Sequence, residues 1–208
     1  MKIGILGSGG IGGSLGRLWT AAGHEVMFAS RHPENLVSLK IKAGANAQIG
    51  SLAEAAEFGE VILEAVPFCA VPTMPVGKLK GKTVLSASNY YPSRDGNIDL
   101  KGKSQSEWVA EHLPEARIVK AFNMMEAGVM ELLADGQGRE GLAIMIAGDD
   151  EAAKLIAKQL VVDAKFQAVD LGVLAQGRVF QAPDAPLYDV QLTPDEVYVH
   201  LKRQENNS

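Results

Sequence analysis

Gly7, Gly9 and Gly12 fall in the spacing G-x-G-x-x-G, directly after a short apolar run (Ile3, Ile5, Leu6). An amphipathic run follows at once, with Leu15, Leu18 and Trp19 at helical spacing and Gly23 as its stop. Strand, glycine turn and helix in that order are the context the motif requires, and residues 25–29 supply a second strand. Each glycine has a mechanical task. Gly7 permits the tight turn, Gly9 lets a diphosphate approach the backbone, and Gly12 lets the helix pack close to the sheet. The free N–H groups and positive dipole end of the helix favour a phosphate there. Ser8, Gly10 and Ile11 belong to the same turn, so residues 7–12 are the first candidate cofactor contacts.

The end of the second strand bears on which dinucleotide is bound. NAD-binding units usually carry Asp or Glu there for the ribose hydroxyls. This chain has Ser30-Arg31-His32. An acidic group would repel a 2′-phosphate, whereas a guanidinium clamps it with two charge-assisted bonds. Ser30 adds a hydroxyl, and His32 a ring N–H or a stacking face. The reading is NADP(H) rather than NAD(H), with Glu34 pointing away on the next helix.

Further along, capping and breaking signals divide the chain into alternating strands and helices. A helix over 33–42 ends at Gly44, and a strand over 46–49 follows. Ser51 with Glu54 three residues on is a capping box for a helix over 51–58. The run 61–66 is a buried strand with one misfit, Glu64, which lies at a sheet edge or meets a polar partner. Pro67 ends it where open α/β sheets keep their ligands, beyond the carboxyl ends of strands. Val66, Pro67 and Phe68 are therefore expected beside the cofactor, and Cys69 as a buried filler. A strand over 83–86 runs into a long polar and aromatic loop, 87–96, that carries Asn89, Tyr90 and Tyr91. A helix from Ser104 or Ser106 reaches Leu113, then a strand over 118–121 opens into Phe122, Asn123, Met124 and Met125. A helix over 127–134, a strand over 142–147, a helix over 150–160 capped by Asp149 and a strand over 166–169 complete the pattern. The fold class expected is α/β, a Rossmann-type, doubly wound, mostly parallel sheet. It spans one domain, 1–170, with a C-terminal extension, 171–208, packing on the body or on a partner subunit. Within that extension Thr193 caps a short helix over 194–202, and the polar end at 204–208 frays.

Other classes find little support. The 208 residues, 47% of them apolar, suit one domain, and a net charge of −5 without a basic stripe argues against nucleic acid. One cysteine cannot form an intramolecular disulfide and fits a reducing cytoplasm. The glycines at the N-terminus interrupt any signal-peptide core, and no apolar run approaches the ~20 residues of a membrane helix. His24, His32, His112 and His200 are scattered, so no metal site is expected, and no Gly-Lys-Ser or Gly-Lys-Thr follows the glycines.

With these segments in view, the chain resembles the NADPH-dependent F420 reductases, and it is similar to the NADPH-binding domain of the membrane ferric reductases. The matching pieces are IGILGSGGIGGSLG, FASRHPE, the strand ending AVPF, the loop SASNYYPSRDG, and VKAFN with the helix before it. Ser30-Arg31, the Ser-Asn loop and Val-Lys-Ala-Phe-Asn are the more specific. The family loop commonly reads Ser-Asn-Pro, and Tyr90 stands where the proline would be.

The resemblance implies hydride transfer between NADPH and coenzyme F420 or a flavin, with no obligatory protein acid–base residue. It also implies a homodimer. Two rivals are an NADPH- and flavin-linked reductase of ferric or small carbonyl acceptors, and a non-catalytic NADPH-binding redox sensor. By position, Tyr90, Phe122, Asn123, Met124 and Met125 are the candidates to meet the second substrate. Tyr90 or Tyr91 stacks on a ring or merely covers the loop. Asn89 and Asn123 hydrogen-bond the nicotinamide amide or a ring carbonyl, or hold their loops. Lys120, inside a strand, is not expected to act as acid or base.

Overall fold

In a computed structural model, residues 1–205 are described. The chain begins β1 (Lys2–Leu6), α1 (Gly10–Ala21), β2 (Glu25–Ala29), α2 (Val37–Ala43), β3 (Ala47–Gly50) and α3 (Leu52–Phe58). It continues with β4 (Val61–Glu64), β5 (Thr83–Ser86), α4 (Pro92–Asp95), α5 (Gln105–His112), β6 (Arg117–Lys120) and α6 (Ala127–Ala134). Last come β7 (Ala143–Gly148), α7 (Glu151–Asp163), β8 (Gln167–Asp170) and α8 (Pro194–Glu205). The strands form one sheet in the order β3-β2-β1-β4-β5-β6-β7-β8. All pairs are parallel except β6–β7. The order reverses between β1 and β4, which puts the switch point over the glycine turn.

Alternation along the strands sorts side chains to two faces. Ile3, Ile5, Val26, Phe28, Leu63, Leu85 and Val119 pack with Leu15 and Trp19 of α1 and Ala157 of α7. Leu6, Ile62, Val84 and Ile118 pack with Phe68 and with Trp108 of α5. On this second face the last residues of four strands lie in register: Leu6 beside Glu64, Glu64 beside Ser86, Ser86 beside Lys120. Glu64 is therefore central, with polar partners, and not at an edge.

The glycine turn shows why two of its members are glycine. Gly7 has φ +101°, and a Cβ there would stand 2.4 Å from the Ala65 carbonyl oxygen. At Gly12 a Cβ would stand 2.1 Å from the Gly7 carbonyl oxygen, so α1 could not keep its distance from the turn.

Ser51 and Ser104 close capping boxes with Glu54 and Glu107. The cap of α7 is Asp150, one residue later than the sequence suggests, because Asp149 accepts from the Leu174 N–H. The segment after β8 is bonded to the body through Phe180, Ala182, Asp189 and Leu192. The fraying expected at 204–208 lies at the last turn of α8 and, from 206 on, outside the described residues. No helix among the described residues is long and apolar enough to cross a membrane.

Candidate functional site

Two cavities open beyond the carboxyl ends of the strands. One, of 780 Å³, is bordered by Ser30 and Arg31 after β2, by Leu52, and by Val66, Pro67, Cys69 and Ala70 after β4. The other, of 460 Å³, is bordered by Gly9 and Ile11, by Ser88, Asn89 and Tyr91 after β5, and by Phe122, Asn123 and Met125 after β6. Tyr188, from the segment after β8, closes one side of it. Both volumes lie in the range of small-molecule sites.

The glycine turn separates its roles here. A Cβ on Gly9 would meet no protein atom within 4 Å, so the space over it is free for a ligand. The amino end of α1 has no side-chain cap and no acidic residue in its first turn. Its backbone donors remain available to an anion. Ser8 donates to the Ala29 carbonyl and ties the turn to β2. Gly10 faces α6, where a Cβ would stand 2.8 Å from that of Ala127. These features fit a dinucleotide diphosphate.

Several expected contacts lie elsewhere. The Phe68 side chain is fully buried and stacks on Trp108 with ring centres 4.4 Å apart, so it belongs to the core. Met124 is also fully buried in the core. Tyr90 turns away from the 460 Å³ cavity. Its hydroxyl donates to the Gly96 carbonyl and accepts from the Ile98 N–H, and its ring leans on Phe68. The neighbouring Tyr91 faces the cavity instead, its hydroxyl against that of Tyr188. Burial and the Tyr91 hydroxyl push the Tyr188 phenol up, so it keeps its proton. His32 is solvent-exposed and pairs with Glu34 at 3.2 Å, outside both cavities. Cys69 is exposed, not a buried filler; the neighbouring Asp95 carboxylate pushes its thiol up and away from thiolate character.

Phe122 leaves β6 with φ +62°, a conformation that bulky residues avoid, and its ring is held between Trp19 and Phe166. Asn89 and Asn123 form a buried knot. Asn89 Nδ2 donates to the Asn123 carbonyl, while Asn89 Oδ1 accepts from Asn123 Nδ2 and the Ala182 N–H. Asn123 Nδ2 also reaches the Phe180 carbonyl. The Asn89 amide is bonded within the protein at both its oxygen and its nitrogen. Asn123 Oδ1, in a residue that borders the 460 Å³ cavity, is buried with no hydrogen-bond partner among the described residues.

Two charged clusters gather residues from separate parts of the chain, the second of them the polar partners that Glu64 suggested. Asp95, its side chain wholly buried, accepts from the N–H of Cys69 and of Tyr91 and from Arg94. Burial alone would raise its carboxyl, but the bonds from Arg94 and the two backbone groups win and hold it down at about 2. A group lowered on folding adds stability above its unfolded value and loses it as pH falls through the folded one. Asp95→Asn is expected to cost about 2 kcal/mol at neutral pH, and that gap should close as pH drops from about 4 toward 2 in urea unfolding. The second cluster is Glu64, Ser86, Ser88 and Lys120. Glu64 Oε2 accepts from Ser86 Oγ at 2.8 Å and Ser88 Oγ at 2.9 Å, and Lys120 Nζ donates to the Ser88 carbonyl. Burial pushes the Glu64 carboxyl up and draws the Lys120 ammonium down to about 8.

Residues 2–90 match the family described as NADP oxidoreductase, coenzyme F420-dependent. A hypothetical protein of Sinorhizobium meliloti, SMa0349, is 30% identical with a TM-score of 0.78 over 93% of this chain and 95% of its own. The chain belongs to the F420-dependent NADP oxidoreductase family. The family match covers β1 through the start of the β5 loop, which includes every residue bordering the 780 Å³ cavity except Arg94. A proposed F420-dependent NADP-reductase of Arthrobacter sp. FB24 shares the fold, at 24% identity and a TM-score of 0.70 over 86% of this chain and 87% of that one. Rat metalloreductase STEAP3 is 29% identical over 187 residues, 87% of this chain. The chain spans 36% of the length of that curated relative.

Proposed function

We propose that the protein transfers a hydride between NADP(H) and a flat-ring acceptor of the deazaflavin (coenzyme F420) or flavin type. The observation that carries this is the pairing of the two cavities. They meet over Gly7, Val66, Pro67 and Arg94, with Arg31 bordering one and Tyr91 and Tyr188 bordering the other. When bound, the nicotinamide supplies the hydride and the protein's task is placement. Ser30 and Arg31 take the 2′-phosphate, and the glycine turn with the amino end of α1 takes the diphosphate. Ile11, Val66 and Met125 give the ring cavity apolar walls that exclude water, while the unpartnered Asn123 Oδ1 suits a carboxamide N–H. Tyr91 and Tyr188 border the space left for the acceptor.

The likeness to a metalloreductase favours a second reading, in which a flavin passes the electrons on to a ferric acceptor. A sensor would hold NADPH across the same two cavities without turnover. Mixing the protein anaerobically with NADPH and F420, a free flavin, or a flavin with a ferric chelate, and following absorbance at 340 nm, separates the three. Oxidation with F420 or flavin alone supports the proposal; oxidation only when iron is present favours the second reading. Tight NADPH binding with no acceptor reduced would sink both.

Arg31→Ala tests the cofactor assignment. It is expected to weaken NADPH binding about 10- to 100-fold, the value of a charge-assisted phosphate contact, and to leave NADH binding unchanged. An unaltered ratio of the two dissociation constants refutes the role of Arg31.

A further inference from the structure

Four residues border both cavities: Gly7, Val66, Pro67 and Arg94. A dinucleotide whose adenosine end lies by Arg31 and whose ring lies in the other cavity crosses this saddle with its middle, the diphosphate. Arg94 is the one charged side chain on the saddle. The glycine turn offers N–H groups and a dipole end equivalent to about half a charge, against the two negative charges of a diphosphate. The cation next along α1, Arg17, bonds Asp135 at 2.5 Å and the Ala134 carbonyl, and borders neither cavity.

The Arg94 guanidinium is fixed in advance. Its Nε and Nη2 donate to the two Asp95 oxygens at 3.1 and 2.8 Å, and Nη2 also donates to the Asn89 carbonyl at 2.6 Å. It sits 5.0 Å from the Tyr91 ring centre. Asp95 is itself locked by the backbone of Cys69 and Tyr91, one from each loop that flanks the saddle. Nη1 alone has no partner among the described residues, and the side chain is 45% exposed. A guanidinium held by two of its corners with the third left open is built to receive an anion.

We infer that Arg94 is the diphosphate clamp: its free Nη1 donates a charge-assisted hydrogen bond to a phosphate oxygen at the centre of the dinucleotide. Asp95 is then a positioning residue, its charge spent on aiming the fork. This rests on the reading that one NADP(H) spans both cavities.

Isothermal titration of the full chain with NADPH, NADH and adenosine 2′-monophosphate tests it. Arg94→Ala should weaken NADPH and NADH by the same factor, about 10- to 100-fold, because both carry the diphosphate. It should leave adenosine 2′-monophosphate unaffected, since that ligand has no diphosphate, and the retained binding also reports an intact fold. Arg94→Lys keeps the charge but not the fork, and should lose less than Arg94→Ala for both dinucleotides. Loss of NADPH without loss of NADH would make Arg94 a 2′-phosphate group and overturn the inference. Unchanged affinity for both, with a raised acceptor KM, would place an acidic tail of the acceptor there and overturn it equally. Failure of the cofactor assignment itself shows separately, as an Arg31→Ala variant that binds adenosine 2′-monophosphate like the parent.

Discussion

Glu64→Leu is expected to destabilise the protein by about 3–5 kcal/mol at pH 7, the usual cost of leaving several buried polar and charged groups uncompensated. The change strips the acceptor from two buried hydroxyls, Ser86 and Ser88, and the opposing charge from Lys120. The charge part depends on pH with a definite sign. Burial already lowers Lys120 to about 8 in the parent protein, and without Glu64 it falls further. Below both values the variant carries the whole extra cost of an unopposed ammonium. Above about 8 the amine is neutral in both proteins and that cost is gone. Denaturant unfolding should therefore show a wider gap between parent and variant at pH 7 than at pH 9. Adding Lys120→Met to Glu64→Leu should recover most of the loss, since an apolar replacement of both partners removes two desolvation penalties at once. Additive effects, or a gap that does not change with pH, would mean that the two residues do not sense each other.

This pair also marks where the sequence is easy to read and where it is not. Every strand is a short apolar run closed by glycine, proline or a polar cluster, so all eight are visible, and Ser51-Glu54 announces its helix. Strand direction is another matter. Nothing in the six residues of β7, AIMIAG, says that it runs antiparallel to β6, because a strand buried on both faces looks alike in either direction. The glycine turn and Arg31 are legible because local backbone geometry and local charge decide what they do. Glu64 reads as a misfit because its partners, Ser86 and Lys120, arrive on other strands. Arg94 was hidden for the same reason: its meaning depends on Asp95 being buried against the N–H of Cys69, 26 residues earlier. Phe68, Tyr90 and Met124 were placed in the site by their position past strand ends. There the chain turns and the alternation of faces no longer holds, so a neighbour such as Tyr91 takes the place instead.

Asn89→Ala should lower the stability of the protein without any cofactor by roughly 3 kcal/mol or more, about 6–12 °C in melting temperature. The residue was a candidate for the nicotinamide amide, but both ends of its side chain are spent inside the protein. Removing them orphans the Asn123 carbonyl and the Ala182 N–H, both buried, and an unpaired buried group costs about 1–3 kcal/mol. Asn123 Nδ2 keeps the Phe180 carbonyl and so loses only part of its bonding. The damage should concentrate in the segment after β8, because Ala182 and Phe180 are how that segment grips the two loops bordering the ring cavity. Limited proteolysis near residues 180–190 should accelerate before the sheet unfolds. Asn89→Asp retains an acceptor for Ala182 and Asn123 Nδ2 but sets an oxygen against the Asn123 carbonyl, so it should fall between parent and alanine variant. NADPH affinity should drop only in proportion to the loosened Asn123. An unchanged melting temperature in the free protein together with a tenfold or greater loss of NADPH affinity would reverse this assignment and make Asn89 a cofactor ligand.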